Sequence, residues 1–379
     1  MINRIELLKA LEVVKPGLAN KDLIEQTTCF AFMDGNVVTY NDEISIRHPI
    51  EIDISGAVQA GELYSLLNKL TSDEIKVELT DNEILLSAGR IRSGLTLYQE
   101  ISLPLDELGT IQDWYTLPKD FIEAMSFCLF SCSKDMSRPI LTCVHINGQI
   151  IESCDNQRLT QFTMDSPLNG EPLLIPVSSA SQLIKYKLKE AAPFDNGWVH
   201  FKTDEGTVIS CRVYEDNYVD LSNIINQAHE GKELKLPAST SETLDRAGIF
   251  TKQDFDSDQT VSISFSDKRM KVRAENEVGW IEEELNLLYD DEPVQFSIHP
   301  KLLQDILKKT NEFQISDGKI KFAKDNWIHV VALRAEEQTA TEEQPVKKSR
   351  KKPSDSIPRK IKTAVTEAAK ESVGDDVEF

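Results

Sequence analysis

Two hydrophobic spacings alternate along the chain. Apolar residues at i, i+3, i+4 and i+7 predict helices packed by one face, and strict alternation predicts half-buried strands. Three helices of the first kind recur about 120 residues apart, a common domain length: "AGELYSLLNKLT" (60–71), "SASQLIKYKLKEAA" (179–192) and "HPKLLQDILKKTN" (299–311). The first aligns Leu63, Leu66, Leu67 and Leu70; the third aligns Leu302, Leu303, Ile306 and Leu307. Further helices are predicted near 3–14, 119–132 and 239–250. Alternating segments with turn residues between them follow every helix, as in "CFAFMDGNVVTYNDEISIRHPIEI" and "LTCVHINGQIIESCDNQRLTQFTM". "DGNV", "NGQI" and "SDGK" read as hairpin turns.

The unit is therefore one helix plus three or four antiparallel strands, present twice per domain and six times in the chain. This predicts an α+β fold of three tandem similar domains, at 1–116, 117–236 and 237–335, with helices and strands in separate layers. From 336 to 379 the periodicity stops and charge blocks take over, the composition of a disordered tail.

Charge sharpens this picture. The formal net charge is -21, and the first 335 residues carry 33 basic against 53 acidic side chains. An evenly acidic surface would repel phosphate, so tight sequence-specific DNA binding is disfavoured unless the charge is segregated by face. No apolar run approaches the roughly 18–20 residues that span a bilayer. "MINRIELLKALEVV" reads as an amphipathic helix without the marks of a signal peptide, so a cytoplasmic protein is expected, with no membrane contact.

Candidate chemistry is sparse. The six cysteines form no CxxC pair, and Cys128 with Cys132 read as buried thiols on a core face rather than metal ligands. The six histidines are scattered, with none at metal-ligand spacing. No phosphate loop, nucleophile elbow or paired-carboxylate motif occurs in a supporting context, so neither an enzyme nor a cofactor nor a metal is expected. The densest polar string, "ESCDNQRLTQF" (152–162), sets a thiol, a carboxylate and a guanidinium side by side.

With its order and threefold setting, that string resembles part of the bacterial DNA polymerase III β sliding clamp family. "SCDNQRLTQF" is similar to the family's Thr-Asp-Gly/Ser-His-Arg-Leu turn, and "SRPILTCVHI" (137–146) to its Arg-Pro-Ile/Val-Leu-Thr-Gly-Val strand, with Cys143 in place of glycine. "VTYNDEISIR" (38–47) and "LIPVSSASQLIKYK" (174–187) resemble its first-domain Thr-Asp-Leu-Glu element and its second-domain helix entry. The likeness covers 1–335; the diverged motifs and the extra tail lean towards a phage-encoded member.

The resemblance implies a DNA-clamp fold forming half of a ring, closed as a head-to-tail homodimer around double-stranded DNA without sequence preference. It implies helices lining the hole, and a groove that takes short peptide motifs of the DNA polymerase and clamp loader. Carried over by position, the groove residues are Leu141, Cys154, Gln157, Arg158, Leu159, Val219, Asn223, Ile224, Ile320, Val330 and Ala332. Asn156 and Gln157 replace a Gly/Ser-His pair, Val219 a proline and Ala332 a methionine. The implied DNA-facing residues are Lys9, Lys21, Lys69, Lys134, Arg138, Lys185, Lys187, Lys189, Lys308 and Lys309. The implied dimer seam uses Leu95, Ile249 and Phe250, with Ser93 where an aromatic is usual. The tip "GDDVEF" is similar to the acidic end of bacterial single-stranded DNA-binding proteins, and "KKSRKK" is a second tail element. The alternative is a clamp-fold scaffold or inhibitor that binds partner peptides without encircling DNA.

Overall fold

The computed structural model describes residues 1–21, 23–109, 111–227, 231–251, 259–316 and 318–333. The tail expected from 336 onward, with "KKSRKK" and "GDDVEF", lies outside the described residues.

Twenty-four strands and seven helices occur among the described residues, in three sets of eight strands. The first set is β1 (Ile2–Asn3), β2 (Cys29–Met33), β3 (Asn36–Tyr40), β4 (Ile44–Pro49), β5 (Gly56–Gln59), β6 (Glu74–Leu79), β7 (Glu83–Ala88) and β8 (Ile91–Tyr98). It carries α1 (Arg4–Val14) and α2 (Ala60–Lys69). The second is β9 (Tyr115–Thr116), β10 (Cys143–Asn147), β11 (Ile150–Cys154), β12 (Arg158–Thr163), β13 (Leu173–Pro176), β14 (Leu188–Asp195), β15 (Trp198–Thr203) and β16 (Val208–Arg212). Its helices are α3 (Phe121–Leu129) and α4 (Val177–Leu183), and α5 (Ser222–Gln227) lies in the connector that follows. The third is β17 (Lys232–Lys235), β18 (Val261–Ser266), β19 (Arg269–Asn276), β20 (Gly279–Asn286), β21 (Val294–Ile298), β22 (Glu312–Ser316), β23 (Lys319–Lys324) and β24 (Trp327–Ala332), with α6 (Thr240–Ala247) and α7 (Pro300–Lys309).

One pairing rule serves all three sets. The first strand joins the last three, as in β1-β6-β7-β8, and the fifth joins the second to fourth, as in β5-β2-β3-β4. Successive sets fuse through one further antiparallel pairing: β4 with β16, and β12 with β24. Local chemistry sets the element ends. Asn3 caps α1 by accepting from the Ile5 and Glu6 amides. Pro300 opens α7, where its missing N–H costs nothing. Asp34 and Gly35 take φ of 50° and 70°, the conformation that closes a two-residue hairpin.

The main core lies between sheets and helices, and two smaller apolar clusters lie under the connectors between sets. All six cysteines are buried and reduced.

One predicted helix is shorter than its periodicity implied. The segment 179–192 is helical only to Leu183, and Leu188–Asp195 is β14, paired with β15 and β9. Pro193 cannot sit inside a helix and pushes its predecessor towards extended backbone, and strand pairing buries Leu188, Ala191 and Ala192. Lys187 therefore lies between helix and strand, and Lys189 lies on a strand.

Candidate partner-binding groove

At the β12–β24 pairing the connector after β16 crosses the sheet on the side away from α3. Alternation along the strands decides which side chains meet it. Leu159 pairs with Cys154 on β11 and with Val330 on β24, and all three join Leu141, Leu221 and Ile225 in an apolar cluster. Their neighbours Thr160 and His329 point the other way: the Thr160 hydroxyl lies 2.6 Å from Ser131 Oγ and 2.8 Å from His329 Nδ1. Over the cluster lies an open, mainly apolar cavity of about 320 Å³, with Val219 and Ile224 on its connector side, each 38% exposed.

The 155–158 turn forms one rim of this cavity. Asp155 Oδ1 accepts the backbone N–H groups of Gln157 and Arg158 at 2.7 and 2.8 Å, and Oδ2 lies 3.2 Å from Arg158 Nε. The Gln157 carbonyl accepts the Ala332 amide at 2.7 Å, tying the turn to β24. Arg138 donates to Asn156 Oδ1 at 3.3 Å.

The thiol and guanidinium of this string are thus structural. Burial pushes the Cys154 thiol up, with Tyr218 hydrogen bonding acting against it, so the group stays neutral and packs as an apolar surface. Tyr218 accepts the Cys154 amide at 2.9 Å and stacks on His145 at 4.7 Å, and burial raises its phenol strongly. Burial likewise raises Cys128 and Cys132. Among the described residues no His, Cys, Asp and Glu cluster could hold a metal.

Nine of the eleven residues expected at the groove line the cavity. Ile320 does not: it is buried in the main core, and its neighbour Lys319, opposite Ala332, is the β23 residue that lines the groove. A one-residue offset in a strand moves a side chain to the other face. Asn223 is exposed but lines no part of the cavity. Asp220 and Leu221 on the connector were also missed, because their segment carries no clear periodicity.

The expected DNA-facing residues have mixed surroundings. Lys9 on α1, Lys69 on α2, and Lys21, Lys134, Arg138, Lys185 and Lys187 in loops are exposed. Burial, then Arg158, lowers the Lys134 ammonium. Lys308 pairs with Asp305 at 2.7 Å, Lys309 pairs with Glu123 of α3, and Lys189 lies 3.5 Å from Asp204. At the expected seam, Leu95 on β8 and Phe250 are half-buried and Ile249 is 61% exposed. Trp280 on β20, also 61% exposed, points from the opposite face of that strand to the one Phe250 packs on, with the Arg273 guanidinium 5.2 Å from its ring centroid.

No protein-family model and no curated protein matches the chain. Solved structures do. The DNA polymerase III subunit beta of Pseudomonas aeruginosa superposes with a TM-score of 0.66 at 16% identity, covering 88% of this chain and 98% of that one. The Streptococcus pneumoniae beta chain gives 0.67 at 19%, with the same coverage. The Bartonella birtlesii sliding clamp, solved bound to griselimycin, gives 0.69 at 16%, again with that coverage. The chain has the fold of the DNA polymerase III β sliding clamps.

Proposed function

We propose that the protein is a non-enzymatic sliding clamp: two copies close head to tail around duplex DNA, and the groove tethers a polymerase and other partners by short peptides. The observation that carries this reading is a pair of unused strand edges. Each set gives its fourth strand to the last strand of the next set, β4 to β16 and β12 to β24. Among the described residues, the corresponding strand of the third set, β20, has only β19 beside it. The last strand of the first set, β8, joins β5 only through Leu97 and Tyr98, leaving Ile91–Thr96 open on that side. Open edges are aggregation hazards unless they are covered. Applied once more, the same pairing covers β20 of one copy with β8 of a second, and two such contacts close a ring. Ile249, Phe250 and Trp280 flank one side of this seam and Leu95 lies on the other.

In this reading the domains are 1–116, 117–236 and 237–335, each a third of the half-ring. The helices with Lys9, Lys69, Lys308 and Lys309 face DNA, with Lys21, Lys134, Arg138, Lys185, Lys187 and Lys189 around them. Retention is topological, so strong phosphate binding is unnecessary. The apolar groove floor supplies the anchor pocket for a partner peptide. The test loads the protein on nicked circular DNA and then linearises it. A clamp stays on the circle and leaves from the ends.

The ion pairs of Lys308 and Lys309 favour a second reading, a clamp-fold scaffold that does not encircle DNA. That protein would be indifferent to linearisation.

A further inference from the structure

We propose that the junction between the first and second strand sets holds another binding site, for a short segment carrying an apolar side chain beside a carboxylate. The site repeats the construction of the groove. Tyr40 lies opposite Ser45 across β3–β4, as Cys154 lies opposite Leu159 across β11–β12. Ser45 pairs with Ser210 on β16, as Leu159 pairs with Val330 on β24. The connector after β8 crosses this pairing as the later connector crosses the other, with Leu105 and Leu108 in a short 3-10 turn. The cavity, partly open to solvent, is about 360 Å³, and Val38 and Val208 add apolar side chains to its lining.

The roof is held in place. Asn196 donates to the Glu107 carbonyl at 2.8 Å. Gly109, at φ 71°, brings the connector so close to Asp195 that a Cβ there would fall 2.6 Å from its Oδ2.

The floor differs from that of the groove, and the difference sets the ligand. Both serine hydroxyls are satisfied inside the protein: Ser45 donates to the Thr39 carbonyl at 3.0 Å, and Ser210 Oγ lies 2.8 Å from His200 Nδ1. Neither demands a polar ligand atom. Arg47 is the charged residue lining the cavity; it is exposed and makes no ion pair with a described residue. The acids Asp42 and Glu107 are already held by Arg212, at 2.8 and 3.5 Å. Apolar side chains beside an open guanidinium fit an aliphatic side chain followed by a carboxylate. This assignment stands apart from the clamp reading and does not depend on it.

The experiment uses the full chain with methyl-labelled Ile, Leu and Val, titrated with acetyl-leucyl-aspartyl-amide and with its asparagine analogue. Saturable shifts at the Val38, Leu105, Leu108 and Val208 methyls are expected, whether or not the groove responds as well. The asparagine analogue should bind about fivefold more weakly, the worth of one partly exposed ion pair. Arg47→Gln should abolish that preference while leaving the analogue's affinity unchanged. Shifts confined to Leu141, Leu159 and Val330, equal binding of the two peptides, an indifferent Arg47→Gln, or no saturable shift would each overturn the proposal.

Discussion

Asp155 holds Arg158 with both carboxylate oxygens, one on its backbone N–H at 2.8 Å and the other on its guanidinium at 3.2 Å. Both side chains are largely buried, at 20% and 12% exposed. Asp155→Ala should therefore cost about 1–3 kcal/mol, since it frees two backbone donors and strands a desolvated cation. Because the same turn is the rim of the groove, peptide affinity should fall by more than global stability. Urea denaturation beside peptide titration checks both; a stability loss with unchanged affinity would separate the turn from the groove's work.

The apolar floor should carry most of the partner affinity. Ile224 is partly exposed on the connector side of the cavity, so Ile224→Asp should leave folding intact and weaken binding of a polymerase-derived peptide at least tenfold, the effect of about 1.4 kcal/mol. Leu159→Asp should remove binding altogether, and also lower stability, because Leu159 is buried between two strands. Polymerase stimulation assays on both variants test the assignment. Normal stimulation with Ile224→Asp would place the docking surface elsewhere.

Acid should weaken the junctions between strand sets. Burial, reinforced by Arg158, lowers His329 to about 3, and burial lowers His200 to about 4. Neither Nε2 has a hydrogen-bond partner among the described residues. The unfolded chain takes up a proton on each near pH 6.5 while the folded one does not. Stability is therefore full above about pH 6.5 and falls as pH drops towards these lower values, by about 1.4 kcal/mol per pH unit per histidine. In urea midpoints between pH 7.5 and 5, His329→Gln should flatten the acid slope. An unchanged slope would mean His329 is protonated in the fold.

Much of this architecture was legible because periodicity is local. The helices at α1, α2 and α7 and the hairpins outside β14–β15 follow from spacing that one segment carries alone. Ile320 was placed by position in the resemblance and not by spacing: β23 alternates Lys319, Ile320, Lys321, Phe322, so Ile320 shares the core face with Phe322 and Lys319 is left to the groove. The 179–192 helix failed because "LKEAA" suits a helix until β9 and β15 claim it. The cavity at the first junction was invisible, because its lining comes from segments far apart in sequence and includes two serines that look like surface. The pairing rule that leaves β8 and β20 open likewise exists only in three dimensions.

That open edge gives the last prediction. Trp280 and Ile249 are both mostly exposed, and Phe250 packs against Gly279, with a ring carbon 3.3 Å from where a Cβ would lie. Large exposed aromatics cost little to remove from a monomer and much to remove from an interface. Trp280→Ala should leave the thermal midpoint of the dilute monomer within about a degree, yet weaken self-association by roughly 2 kcal/mol, some thirtyfold. Ile249→Ala with Phe250→Ala should do the same at some cost in stability, since Phe250 also touches the core. Sedimentation velocity across a concentration series reads the effect. If Trp280→Ala associates as the parent does, β20 is not the closing edge, and the ring must close elsewhere or not at all.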